Sequence, residues 1–222
     1  MRLETYPDRD MLMLGLANII AGQLAEFLRR DGRATLSVPG GTTPGPIFDT
    51  LSGVDLDWAN VAVVLNDERW VPESSDRSNT RLVRDRLIRG RAAQARLIPL
   101  YVPAETPEAV LPVLEEGLRP YLPISVLVLG MGADMHTASL FPGADRLAEA
   151  LTSQALILPM RSEAAGEPRV TLTASVLKAA YNIHLLITGP EKRAALDRAL
   201  HLSPLEAPVR AILDTATVHW AE

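Results

Sequence analysis

The chain has 222 residues, 47% hydrophobic and 22% charged, with 14 Gly and 17 Pro, a globular composition that excludes disordered, collagen-like and coiled-coil architectures. Lys+Arg of 22 against Asp+Glu of 27 leaves a net charge of −5, so no nucleic-acid partner is expected, since phosphate-backbone binding needs a basic face. Cysteine is absent, which excludes a disulfide framework, thiolate zinc sites and a cysteine nucleophile, and fits a cytoplasmic protein.

The opening MRLETYPDRD has neither a basic start nor an apolar stretch, so no secretory signal is read there. Leu12, Leu16, Ile19, Ile20, Leu24, Phe27 and Leu28 recur at helical spacing before Gly32, which predicts an amphipathic helix over residues 10 to 30. Ala34 to Val38 reads as a buried strand ended by the turn Pro39-Gly40-Gly41, with a helix opening at Thr43-Pro44. A second strand, Val61 to Leu65, runs into Asn66-Asp67-Glu68-Arg69. Ser78 with Asn79 caps a helix to about Ile88, and Thr106-Pro107-Glu108 has the form of an N-cap followed by proline. Ile124 to Leu129 is apolar, far too short to cross a bilayer, and leads into Gly130-Met131-Gly132; no membrane partner is expected. Residues 159 to 168 and 203 to 208 read as loops, Arg169 to Thr173 alternates like a strand, and Asn182 to Thr188 runs into Gly189-Pro190.

Apolar strands alternating with helices predict an α/β fold: a mostly parallel central sheet with helices on both faces, formed as one domain over residues 1–222. Ligands of such open sheets sit beyond the carboxyl ends of the strands. The polar, glycine-rich segments after all four apolar runs converge on that edge.

Each segment has a bland and a chemical reading. Gly40-Gly41-Thr42-Thr43 at a helix start is a tight turn or an anion cradle of backbone N–H groups and hydroxyls. Asp67-Glu68-Arg69 is a surface ion pair or a cluster of buried charges needing partners. Arg169, read alone, is a solvated edge residue. Lys192, one of two lysines beside Lys178, falls in the first turn of a helix opened by Pro190, where a cation is unfavourable unless a bound anion reverses the sign. His136, two residues after Asp134 in a glycine-rich loop at a strand end, suits a general base near neutral pH. His184, His201 and His219 read as structural, and no two histidines share metal-ligand helix spacing. The loop fits neither a dinucleotide fingerprint, with Met135 at the third glycine, nor a serine-nucleophile elbow at Ser139.

Taken as a set, these segments resemble the 6-phosphogluconolactonase family. The resemblance runs from about Ala34 to Ala221. It rests on Gly40 to Pro44, on Asp67 to Pro72 with Ser78-Asn79, on Gly130 to Gly143, on Arg169 to Thr173, and on Gly189 to Lys192. It implies a Rossmann-like open sheet of the sugar-phosphate isomerase and deaminase type. It also implies hydrolysis of 6-phospho-D-glucono-1,5-lactone to 6-phosphogluconate in the oxidative pentose phosphate pathway, without metal or organic cofactor. Under it, Gly40, Gly41, Thr42, Thr43, Arg169 and Lys192 hold the phosphate, and Asn79 adds a polar contact. His136 activates water, Asp134 or Asp67 orients the imidazole, and Arg69 stabilises the oxyanion. The expected partner is the small sugar-phosphate lactone, and the expected state a monomer or small homo-oligomer.

The related amino-sugar-phosphate isomerases and deaminases continue after the histidine with Ile-Ala-Phe-Asn-Glu, where this chain has Thr137-Ala138-Ser139-Leu140-Phe141. One departure matters: the family places glycine between the Asp and the His, and here Met135 stands there. A positive φ would cost methionine about 1 kcal/mol or more. A sugar-phosphate-binding protein without activity, its loop disabled by Met135, is therefore the second alternative to the hydrolase.

Overall fold

The computed structural model describes residues 1–222. In chain order the elements are β1 (Arg2–Thr5), α1 (Arg9–Asp31), β2 (Ala34–Val38), α2 (Gly45–Leu51), β3 (Val61–Leu65) and β4 (Asp67–Arg69). There follow α3 (Asn79–Arg86), β5 (Arg96–Ile98), α4 (Leu111–Leu118), β6 (Val126–Gly130), α5 (Leu147–Thr152) and β7 (Ile157–Met160). The chain closes with β8 (Arg169–Leu172), α6 (Ala174–Lys178), β9 (Asn182–Thr188), α7 (Gly189–Ala199), α8 (Arg210–Leu213) and β10 (Thr217–Ala221).

Seven strands form one parallel sheet in the order β1-β10-β9-β6-β2-β3-β5. Every residue of β2 and β3 is buried, so the sheet is covered on both faces, which is why these strands read as unbroken apolar runs. From β2 the chain moves outward through β3 to β5, then returns to add β6 on the other side of β2. That reversal opens a crevice at the carboxyl ends of β2 and β6, the place where open α/β sheets bind ligands. Asn66 pins the crevice floor. It is fully buried, its Oδ1 accepts from Ser37 Oγ on β2 (2.7 Å) and its Nδ2 donates to the Val128 carbonyl on β6 (2.8 Å).

A second, smaller sheet was not foreseen. β4, β8 and β7 pair antiparallel, and they place Pro159 and Met160 in a strand where a loop was expected. The Asp67 to Arg69 segment is thus a strand of its own.

Helix α1 starts where Asp8 Oδ1 accepts from the Met11 amide (2.7 Å) and stops at Gly32, whose φ of 70° is left-handed. By length and apolar content alone it could cross a bilayer. Its Leu12, Leu16, Ile20, Leu24 and Phe27 are instead buried within a continuous hydrophobic core. Leu16 is wholly inaccessible, and truncating it to Ala would cost about 2–5 kcal/mol. The other helix starts differ slightly from expectation. α2 begins at Gly45 with Pro44 as its cap residue, α3 ends at Arg86, and Thr106 leads into a 3-10 turn over Pro107–Val110 before α4.

Candidate active site

A cleft of about 240 Å³ lies at the crevice between β2 and β6. It is lined from all the segments singled out in the sequence: Gly40, Gly41 and Thr43, Asp67 and Arg69, Asn79, His136, Arg169 and Lys192. A larger cavity of about 400 Å³ lies at the opposite edge of the sheet, among Phe27, Arg33, Arg96, Tyr121 and Tyr181. It faces the amino ends of β2, β3 and β5 and holds no imidazole, so the smaller cleft is the one equipped for chemistry.

The first wall follows β2. Gly41 has φ 82°, a left-handed conformation that a side chain would strain, and a Cβ on Gly40 would lie 2.0 Å from Asn79 Oδ1. None of the amides of residues 40 to 43 donates a hydrogen bond within the chain. Unpartnered N–H groups ahead of α2 are donors of the kind an anion cradle requires. Asn79 is 1% exposed and donates from Nδ2 to the Asp67 carbonyl (2.9 Å), so it ties the start of α3 to β4.

The second wall is the small sheet. Arg69 and Arg169 stand directly opposite each other across β4 and β8, with Asp67 and Thr171 the next pair on that face. Like charges so placed are destabilising unless something compensates them. Arg69 Nη1 donates to the Arg77 carbonyl (2.6 Å), Arg77 pairs with Glu167 (2.8 Å), and Glu167 lies 3.5 Å from Arg169. Three guanidiniums therefore face two carboxylates, Asp67 and Glu167. Arg169 is buried, not a solvated edge residue; burial pulls its guanidinium below the ordinary value, Asp67 opposing and Arg69 reinforcing the shift. Leaving a buried polar atom unpaired costs about 1–3 kcal/mol. Of the four such side-chain atoms in the chain, Arg69 Nε, Asn79 Oδ1 and Arg169 Nε surround this cleft.

The third wall is the loop after β6. His136 Nδ1 lies 2.5 Å from Asp134 Oδ1, and its ring packs on Phe141 with centroids 4.4 Å apart. With Nδ1–H given to the carboxylate, Nε2 keeps its lone pair and has no partner in the chain. Burial pushes the Asp134 carboxyl up, but the hydrogen bonds and charge of His136 outweigh it and hold the group below the usual carboxylate range. Asp134 is thus ionised near neutral pH, a charge that can stabilise a protonated imidazole beside it. Gly132 is required because a Cβ there would lie 2.1 Å from His136 Nδ1. Met135 takes φ 68°, the conformation expected of the glycine it replaces, and the loop is closed by Gly132 N–His136 O (3.0 Å) and Met135 N–Gly132 O (3.0 Å).

Lys192 completes the rim. It sits in the first turn of α7, and its Nζ donates to the Met131 carbonyl (2.7 Å) at the root of the loop that carries His136.

The sequence model of the family described as glucosamine-6-phosphate isomerases/6-phosphogluconolactonase matches residues 7–220. The chain belongs to that family. It is 45% identical to a 6-phosphogluconolactonase of Mesorhizobium japonicum, covering 98% of this chain and 94% of that protein. It is 42% identical to one from Rhizobium meliloti over 99% and 98% respectively. A solved 6-phosphogluconolactonase from Shewanella baltica superposes with a TM-score of 0.97 at 36% identity, covering 100% of this chain and 98% of that one.

Within this isomerase and lactonase family fold, the structure also resolves what the sequence left open. Of the two carboxylates expected near the imidazole, Asp134 takes it. Asp67 instead accepts from Ser139 Oγ (2.5 Å) and lies 3.5 Å from Arg169 Nη1. Thr42 is exposed beside the cradle. Glu68, one of the three charges read as surface-paired or buried and given no role of its own, is fully buried and accepts from five donors: the amides of Arg69, Asn79 and Thr80 and the hydroxyls of Ser78 and Thr80. It ties β4 to the start of α3 from ten residues away, and no local pattern announces that pairing.

Proposed function

We propose that this cleft hydrolyses 6-phospho-D-glucono-1,5-lactone to 6-phosphogluconate, as in the oxidative pentose phosphate pathway. The observation that carries the reading is a histidine with a free Nε2, backed by an ionised Asp134, sharing one cleft with unpartnered amides and an excess of cations. The phosphate rests on the amides of Gly40 to Thr43, aided by Arg169 and Lys192, and so fixes the lactone carbonyl near His136. Water attacks C1 as His136 Nε2 takes its proton, and the oxyanion develops toward Arg69. When the tetrahedral intermediate collapses, the C1–ring-oxygen bond breaks and the imidazolium returns the proton to the departing ring oxygen. No metal or organic cofactor takes part in these steps.

The relatives named 6-phosphogluconolactonase support the same substrate. The isomerase or deaminase reading is disfavoured by Thr137 to Phe141, and the binding-only reading by a catalytic loop that keeps its closing hydrogen bonds around Met135. The proposal takes the whole chain as one domain, on its continuous core. It extends to a cytoplasmic monomer or small homo-oligomer without nucleic-acid or membrane partners, supported by the net charge of −5 and the absence of cysteine, while one chain supplies every wall of the cleft. The test is hydrolysis of the phosphorylated lactone by purified protein, corrected for spontaneous opening. Turnover supports the reading. Deuterium exchange at C2 of an amino-sugar phosphate without lactone turnover would replace it with the isomerase chemistry.

A further inference from the structure

The reaction as described gives no work to Ser139, yet Ser139 sits where the two halves of the site join. It follows His136 by three residues on the loop after β6 and is wholly buried. Its amide donates to Thr171 Oγ1 on β8 (3.2 Å), and its hydroxyl donates to Asp67 Oδ2 on β4 (2.5 Å). The same Oδ2 is the atom that faces Arg169, at 3.5 Å from Nη1, long for a charged pair. A carboxylate next to a buried guanidinium ordinarily closes to a short, bidentate contact. Here the same Oδ2 accepts from the hydroxyl at 2.5 Å and from Nη1 only at 3.5 Å. Arg169 keeps donor capacity on its terminal nitrogens: Nη1 reaches only Asp67 (3.5 Å), and Nη2 only the Ala165 carbonyl (3.2 Å) and Glu167 (3.5 Å).

We infer that Ser139 is a positioning residue that restrains Asp67 so that Arg169 stays available to the substrate's phosphate. This rests on the reading of the cleft as a site for a phosphorylated lactone and adds to it a determinant of phosphate selectivity. Without the hydroxyl, Asp67 loses its nearest donor and turns to Arg169, where a tight pair satisfies both groups. The guanidinium is then spent internally. His136 is held by Asp134 and Phe141, and the hydroxyl of Ser139 donates to Asp67; Phe141 also carries Arg169 Cζ 5.7 Å from its ring centroid, so the imidazole keeps its place when Asp67 turns toward a guanidinium that stays over that ring.

The experiment compares wild type, Ser139→Ala and Ser139→Cys, the last nearly isosteric but a weak donor, each checked for an unchanged thermal midpoint. Two quantities are read: the Kd for 6-phosphogluconate by isothermal titration, and kcat/KM on unphosphorylated glucono-1,5-lactone. The expected result is a Kd raised about tenfold or more, the worth of one hydrogen bond to a charged group, with kcat/KM on the unphosphorylated lactone within about twofold. In an Asp67→Asn background, which cannot neutralise Arg169, Ser139→Ala should change the Kd no further. An unaltered Kd, or equal losses on phosphorylated and unphosphorylated ligands, would overturn the inference. Wild-type protein that binds 6-phosphogluconate but opens no lactone would sink the hydrolase reading, while the Kd comparison would still decide the role of Ser139.

Discussion

Away from the cleft, two buried imidazoles make the stability of this fold acid-sensitive. His184 on β9 and His219 on β10 are bonded to each other, Nδ1 to Nε2, at 2.9 Å. His184 Nε2 lies 2.8 Å from Gln23 Oε1 on α1, and His219 Nδ1 lies 2.9 Å from the Tyr6 hydroxyl. The Gln23 oxygen must accept, so His184 Nε2 carries its hydrogen. His184 Nδ1 then accepts from His219 Nε2, and His219 Nδ1 accepts from Tyr6. Both rings are neutral and every ring nitrogen is engaged. Burial lowers both groups from 6.5 to about 4, with His219 adding to the shift of His184 and Arg2 to that of His219.

Unfolded, each imidazole takes up its proton near pH 6.5, whereas folded it resists until about pH 4. The unfolded chain therefore binds more protons in that window, and stability falls as the pH drops from 6.5 toward 4. The loss is about 3 kcal/mol per imidazole and up to about 6 kcal/mol for the pair, against a typical total of about 5–15 kcal/mol. Urea unfolding followed by tryptophan fluorescence at several pH values between 8 and 4.5 measures it. The slope should reach about 1.4 kcal/mol per pH unit for each histidine and fall to about half in His219→Gln. A flat profile over that window, or the same slope in the variant, refutes the neutral-pair account.

Three further outcomes follow from the cleft. His136→Ala should lower kcat by about 10²- to 10⁴-fold with little change in the Kd for 6-phosphogluconate, measured by stopped assay and titration; unchanged turnover rejects its role as base. Lys192→Ala should raise KM for the phosphorylated lactone and leave the slow hydrolysis of unphosphorylated lactone as it was, and a loss on the latter contradicts a phosphate role. Gly132→Ala puts a methyl 2.1 Å from His136 Nδ1 and should cost kcat about as much as removing the base, with urea stability showing that the fold persists.

Much of the frame was legible because the central strands are buried on both faces and so carry uninterrupted apolar runs, as in Val61 to Leu65. The convergence of loops followed from parallel topology alone. Of the small sheet only β8 was legible, from its alternation; β4 and β7 are three and four residues long and break the strand pattern. Asp67 to Arg69 is all charge, and β7 contains Pro159. That omission hid the burial of Arg169, whose surroundings come from β4 and from the catalytic loop, far away in sequence. Glu68 and Ser139 escaped for the same reason: the partners that bury them lie 10 to 12 residues on for Glu68, and 32 and 72 residues away for Ser139. Met135 was legible as a departure, but its left-handed φ depends on how the folded loop closes around it.

The most direct test is a crystal structure of the protein with 6-phosphogluconate bound. The phosphate should lie on the amides of Gly40 to Thr43 with Arg169 and Lys192 in contact, and C1 should sit within about 3–3.5 Å of where a water held by His136 Nε2 would attack. A phosphate seated in the cavity at the amino ends of the strands, or a C1 carboxylate turned away from His136, would contradict the account.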